Sequence, residues 1–454
     1  MAGNAAAYHR SAGRHPASSQ TSHMKPPRPA SSGARSRAAR SMPPTAHLDA
    51  AEGVDLLAEL PGAPGVLLWG ALRDFMLWVE TPAGARAGLF AAGAGELRRR
   101  DLAAHAPDQE LWAPLLTLAQ MADAPERADA GRVVFAVRTI ARWAERAGVP
   151  ATRLAFTRAA ALALPQEAAM ALETGRLARD LVHHAEAESW FRRGIRLARG
   201  RDWESYAWGF IGLGVLYIRA GNFPAGRAVV GRALRAAHKR RLPAIAGSAH
   251  HHLFTLCVEA GRMEEAYEHA RSAVRAYGDG HPRLPALAHD LGCFWTEQGR
   301  FTRARAIFEA SLPCFTDPPS RLLALSNFSR AAAGAGDRAT YQRARDEAAG
   351  LAALPRCAEA AAESLLVLAQ GDACLGEWAR AEEAARRAQE IAARRGEART
   401  QMGAEAHLEA ARNERAVQSA RTELAETPGL ALQAEALAGA VRASLTRHAA
   451  GTPA

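Results

Sequence analysis

Histidine and cysteine are the residues in this chain best equipped for chemistry, and their spacing decides what they can do. His250, His251 and His252 form a triplet, and His183 and His184 a pair. Consecutive residues on a helix point about 100° apart, so neither run can chelate an ion by itself. His289 and Cys293 stand four apart, which puts an imidazole and a thiol on one helical face. No further ligand follows at metal spacing, so the pair reads as a groove-lining histidine beside a cysteine packed as a small hydrophobe, with no metal and no cofactor expected. The five cysteines, Cys257, Cys293, Cys314, Cys357 and Cys374, are odd in number, dispersed and without a Cys-x-x-Cys pair. That pattern fits a reducing cytoplasm. There is no Gly-rich phosphate loop after a strand, no Gly-x-Ser-x-Gly and no His-Glu-x-x-His. A metal- or thiol-dependent enzyme therefore has no motif behind it, and a non-enzyme is expected.

What would position such side chains is a helical framework. The 454 residues are rich in alanine and only 6% aromatic. Alanine favours helix and lets helices approach closely, whereas strands would need more Val, Ile, Thr and Tyr. From about Gly65 the apolar residues recur at three- and four-residue steps: Val66, Trp69, Leu72, Phe75, Met76 and Val79, then Leu111, Leu115, Leu118 and Met121, then Val133, Val137, Ile140 and Trp143. The apolar run Val66 to Val79 is interrupted by Arg73 and Asp74 and is too short to span a bilayer, so no membrane partner is expected. Residues 49–167 thus read as an N-terminal helical region.

The formal charge of +10 is concentrated at the start of the chain. Residues 1–48 carry seven basic side chains, Arg10, Arg14, Lys25, Arg28, Arg35, Arg37 and Arg40, and no acidic one. This Ser-, Pro- and Arg-rich stretch is too poor in apolar residues to fold and reads as a disordered tail, or as an overlong start ahead of Met24 or Met42. The rest carries only +3, a mixed-charge exterior rather than a nucleic-acid footprint, so no nucleic acid is expected. Lysine occurs only at Lys25 and Lys239, an arginine bias that points to a GC-rich bacterial source and to no function.

One unit recurs. "GNFPAGRAVVGRA" from Gly221 is followed by "GRMEEAYEHARSA" from Gly261, "GRFTRARAIFEAS" from Gly299, "GDRATYQRARDEA" from Gly336 and "GEWARAEEAARRA" from Gly376. The steps are 40, 38, 37 and 40 residues, and a step of 39 backwards reaches Val182. Six helix-turn-helix units are predicted over 168–395, followed by capping helices and a frayed end over 396–454. Each preceding helix pairs a small residue with an aromatic one: Leu213, Gly214 and Tyr217, then Leu291, Gly292 and Trp295.

On these residues, with Phe223, Ala233, Phe301, Ala304 and Phe308, the chain resembles the tetratricopeptide repeat (TPR) superfamily over about half its length. Its units exceed the usual ~34 residues. The resemblance implies an all-α, right-handed superhelical solenoid of antiparallel helix pairs. It also implies a concave groove lined by the first helix of each pair, where a protein or peptide partner would bind. Rows of residues one repeat apart would line it: Leu172, Ile211, His251, His289 and Ser326; Arg176, Val215, Thr255, Cys293 and Arg330; Asp180, Arg219, Glu259 and Glu297. From these, Arg176, Trp208, Ile211, Arg219, His251, Thr255, Glu259, His289, Glu297 and Arg330 are the expected contact residues. Arg176, Arg219 and Arg330 would make basic flanks around an acidic middle. The rows hold no Lys and no Asn, which disfavours the carboxylate clamp that some TPR proteins use on chaperone C-termini. The function expected is a cytoplasmic, non-catalytic binding scaffold; the alternative is a TPR-containing signalling or transcription regulator that senses a peptide in the groove.

Overall fold

The computed structural model describes residues 50–105, 108–354, 357–414 and 427–451; the basic tail of the sequence reading lies outside them. Among the described residues there are twenty α-helices and no strand. They fall into two compact units that divide between Ala236 and Ala237.

The N-terminal unit contains α1 (Ala50–Glu59), α2 (Ala63–Glu80), α3 (Ala94–His105), α4 (Gln109–Asp123), α5 (Ala130–Ala147), α6 (Pro150–Ala163), α7 (Ala168–Asp180), α8 (His184–Ala198) and α9 (Trp203–Arg219). The division itself falls within α10 (Phe223–Arg240). Leu72, Phe75, Trp78, Leu111, Ile140 and Phe156 form the first core. Val66, placed by the periodicity on the buried face of α2, is 60% exposed, while Leu68 is buried. Two residues are about 200° of helical rotation, so only one of the two can face inward. A remote cap ties the start of this unit to α6. The Glu59 carboxylate accepts hydrogen bonds from the backbone N–H of Ala151 (2.6 Å) and Thr152 (2.8 Å) and from the Thr152 hydroxyl (3.0 Å). These are first-turn groups with no partner inside the helix, at the end whose macrodipole favours an anion.

The C-terminal unit contains α11 (Pro243–Glu259), α12 (Met263–Tyr277), α13 (Leu284–Glu297), α14 (Phe301–Ser311), α15 (Pro318–Gly334), α16 (Arg338–Ala352), α17 (Ala358–Cys374), α18 (Trp378–Arg395), α19 (Ala398–Arg412) and α20 (Pro428–Gly451). Leu291, Trp295, Phe308, Leu325 and Leu368 belong to one continuous core. α19 packs on α17 and α18, in line with the pairs before it. α20 instead lies along α12 and α14, burying Leu437, Val441 and Leu445 there. Its ends are pinned by ion pairs from Arg303 to Glu435 and from Arg447 to Asp279, both 2.7 Å.

Backbone conformation shows the repeat more plainly than side chains do. Left-handed residues close the turns at Gly148, Val182, Gly221, Gly261, Gly299, Gly336, Gly376 and Glu414, at steps of 34, 39, 40, 38, 37, 40 and 38 residues. At each described turn but the last, the next residue donates to the carbonyl five back: Val149 to Ala144 (3.0 Å), His183 to Ala178 (2.8 Å), Asn222 to Tyr217 (2.8 Å), and so on to Glu377 and Asp372 (3.0 Å). This bond satisfies a carbonyl the helix leaves open and requires positive φ at the residue between. The pattern begins one pair earlier than the glycine spacing alone indicates, at α5 and α6, and reaches α19. Between the paired helices, small residues allow close approach: a Cβ at Gly292 would come within 2.6 Å of the Phe308 ring, and one at Gly214 within 2.4 Å of Val230.

Candidate functional site

In the C-terminal unit a part-buried polar chain links the first helices of three successive pairs. His251 of α11, only 5% exposed, places Nε2 2.9 Å from Asp290 Oδ2 on α13. The neighbouring His289 sets its Nδ1 3.6 Å from the other oxygen of Asp290. Its Nε2 lies 3.3 Å from the Asn327 amide on α15, and that amide donates to the Leu323 carbonyl at 3.0 Å. Phe308 and Phe315 flank the His289 ring edge to face.

Charge in this chain is set by mutual pairing. Burial pushes the Asp290 carboxyl up, but the hydrogen bond with His251 and the nearby His289 ring overcome that and hold it well below the usual carboxylate range. Burial likewise opposes charge on His289, yet Cys293 and Asp290 together hold it well above the ordinary imidazole value. The His251–Asp290 hydrogen bond ties α11 to α13, because shifting one helix would part a largely desolvated carboxylate from its partner.

Cys293 Sγ is 3.8 Å from both ring nitrogens of His289. A sulfur equidistant from the two nitrogens lies along the lone-pair direction of neither, and the nitrogens already face Asp290 and Asn327. The arrangement is therefore a poor proton-transfer pair, although it unites a thiol, an imidazole and an amide.

Around this polar chain, half-exposed side chains project from the same helices: Thr255 and Glu259 on α11, Cys293 and Glu297 on α13, Arg330 on α15. They are the C-terminal members of the rows read from the sequence. In the N-terminal unit, Arg176 and Arg219 are exposed, Trp208 is half-buried, and Arg219 pairs with Asp180 at 3.1 Å, one repeat away. Ile211 and His251 are corrected by the structure. At 4% and 5% exposure they pack inside the helix layers, and contact with a ligand would fall to their neighbours. Asp290 and Asn327 were missed because the rows aligned residues at equal register. Each histidine instead meets the residue one place beyond its row partner.

A second polar cluster is structural. Asp372 on α17 is fully buried, takes both Nε (2.6 Å) and Nη2 (2.8 Å) of Arg345 and accepts the Tyr341 hydroxyl. The paired bonds satisfy the carboxylate completely and tie α16 to α17.

Repeated helix pairs, left-handed turns at a fixed period and small residues facing bulky ones define a TPR-like helical-repeat fold. No family model matches the sequence, and no curated protein matches it. Among solved structures the chain is similar to the Rap protein complexed with competence and sporulation factor, at 10% identity over 84% of this chain and 99% of that one, with a TM-score of 0.43. It is similar to aspartyl phosphate phosphatase F from Bacillus subtilis, at 10% identity over 80% and 97% and a TM-score of 0.43. A third is YrrB, described as a TPR protein with an unusual peptide-binding site, at 16% identity over 43% and 91% and a TM-score of 0.28. No described helix is long and apolar enough to cross a membrane.

Proposed function

We propose that the chain is a non-catalytic scaffold that binds an extended peptide or protein segment across the first helices of its repeats. The reading rests chiefly on the C-terminal unit. There Thr255, Glu259, Cys293, Glu297 and Arg330 are half-exposed on α11, α13 and α15, which a polar side-chain network links. Side chains held by a linked framework lose little freedom on binding, which is what a scaffold needs to recognise a flexible partner. Paired acidic residues one repeat apart would favour a ligand with a basic stretch, and such exposed pairs are worth only ~0.2–1 kcal/mol each. An apolar contact must add to them. Selection of a random peptide library on the full chain tests the proposal. Enriched peptides should share a basic stretch, and the bound peptide should slow amide exchange in α11, α13 and α15. Slowing confined to second helices of the pairs would contradict it.

A further inference from the structure

We propose a divalent-metal site, suited to zinc, at Cys257, Glu265 and His269, independent of the peptide-binding reading. Their ligand atoms all lie within 4.8 Å of one another. Cys257 comes from α11, while Glu265 and His269 stand four apart on one face of α12. The thiol is fully buried; the carboxylate and imidazole are 33% and 18% exposed, so an ion could reach them from solvent. Drawing the three donors around one ion at 2.0–2.3 Å would bring them to about 3.5 Å from each other, a closure within reach of side-chain rotation.

The repeat supplies its own comparison. At the register of His269 the other pairs from Gly221 onward carry Val229, Ile307, Ala344 and Ala384. At the register of His250 they carry Phe210, Ala288, Leu325 and Leu365. Cys257 in turn replaces the aromatic Tyr217 and Trp295 of the adjoining pairs. One pair alone thus exchanges two apolar packing positions for imidazoles beside a thiol. Solvent-facing drift does not explain this, because these positions pack between helices.

The orientation of His269 fits a ligand. Its Nδ1 is 3.0 Å from His250 Nδ1, and its Nε2 faces Glu265 Oε1 at 4.0 Å. A proton on His269 Nδ1 donated to His250 leaves the Nε2 lone pair turned toward Glu265, the arrangement by which an outer partner fixes a ligating histidine. A thiolate, a carboxylate and a neutral imidazole form a mixed S/O/N set with two negative charges, which matches Zn²⁺ in softness and charge and leaves a fourth position for water. Binding must displace the Cys257 proton, so affinity should fall at acid pH.

Cobalt(II) tests the site, because a thiolate ligand gives it a near-ultraviolet charge-transfer band that histidines alone cannot give. The chelator-treated full chain should bind one Co²⁺ with that band, and one equivalent of Zn²⁺ should displace it. Cys257→Ser should abolish the band, Glu265→Gln and His269→Leu should each weaken binding at least tenfold, and Cys374→Ser should leave it unchanged. Circular dichroism establishes that each variant is folded, and the surface change Glu265→Gln keeps the test decisive if Cys257→Ser is not. Absence of the band in the wild-type chain, its loss in Cys374→Ser, or equal affinity in Glu265→Gln and His269→Leu would overturn the proposal.

Discussion

Among the described turns within a helix pair, Val182 holds the position that glycine fills at Gly148, Gly221, Gly261, Gly299, Gly336 and Gly376, with φ of 66° and 67% of its surface exposed. A left-handed conformation costs an L-residue ~1–2 kcal/mol, and a β-branched side chain is among the worst suited to it. Val182→Gly removes that strain. Against it stands the greater chain entropy that glycine loses on folding, ~0.5–1 kcal/mol relative to alanine. Little apolar burial is lost, since the side chain is mostly in water. The net expectation is a gain of about 0.5–1 kcal/mol, and Gly299→Val, the converse change at an equivalent turn, should lose at least as much. Repeat proteins need not unfold in one step, so the assay is native-state hydrogen exchange of the flanking helices, α7 and α8 for Val182 and α13 and α14 for Gly299, beside urea melts of both variants. If Val182→Gly destabilised α7 and α8 while Gly299→Val were neutral, the assignment of these positions as equivalent left-handed turns would be refuted.

Other positions give sharper energetic tests. Glu59→Ala should cost about 1–2 kcal/mol by uncapping α6, read as faster amide exchange at Ala151 and Thr152. Asp372→Ala should cost about 3–5 kcal/mol in a urea melt, because it leaves Arg345 part-buried without its carboxylate. Burial, aided by Arg330, lowers the His407 imidazole to about 4. An imidazole harder to protonate when folded than when unfolded supports stability above ~6.5 and loses it as pH falls toward 4. Between pH 7 and 5 the wild type should therefore lose about 1–2 kcal/mol more than His407→Gln, as measured by urea midpoints at the two pH values.

The sequence disclosed the repeat because its turns demand one backbone conformation that glycine supplies, and a step of 39 residues located Val182 even without it. The α5 and α6 pair escaped notice since its step of 34 breaks the longer period, although Gly148 marks its turn. The docking of α20 was illegible: Leu437, Val441 and Leu445 announce an apolar face, and periodicity says nothing about which helices that face will meet. Rows read at equal register singled out Thr255, Glu259, Cys293, Glu297 and Arg330 as contact candidates but could not weigh burial. They therefore mixed surface residues with the interior His251 and overlooked Asp290, whose two histidine partners come from different helices.

The account turns on whether the first-helix face of the repeats binds a peptide. Calorimetry of the tightest library-selected peptide against the wild type and Glu259→Ala/Glu297→Ala measures this directly. Two exposed pairs at ~0.2–1 kcal/mol each predict a roughly 2- to 30-fold loss for the double variant, smaller at high salt. Unchanged affinity in the double variant, with binding abolished instead by a charge introduced on an exposed second-helix position such as Glu268→Arg, would contradict it.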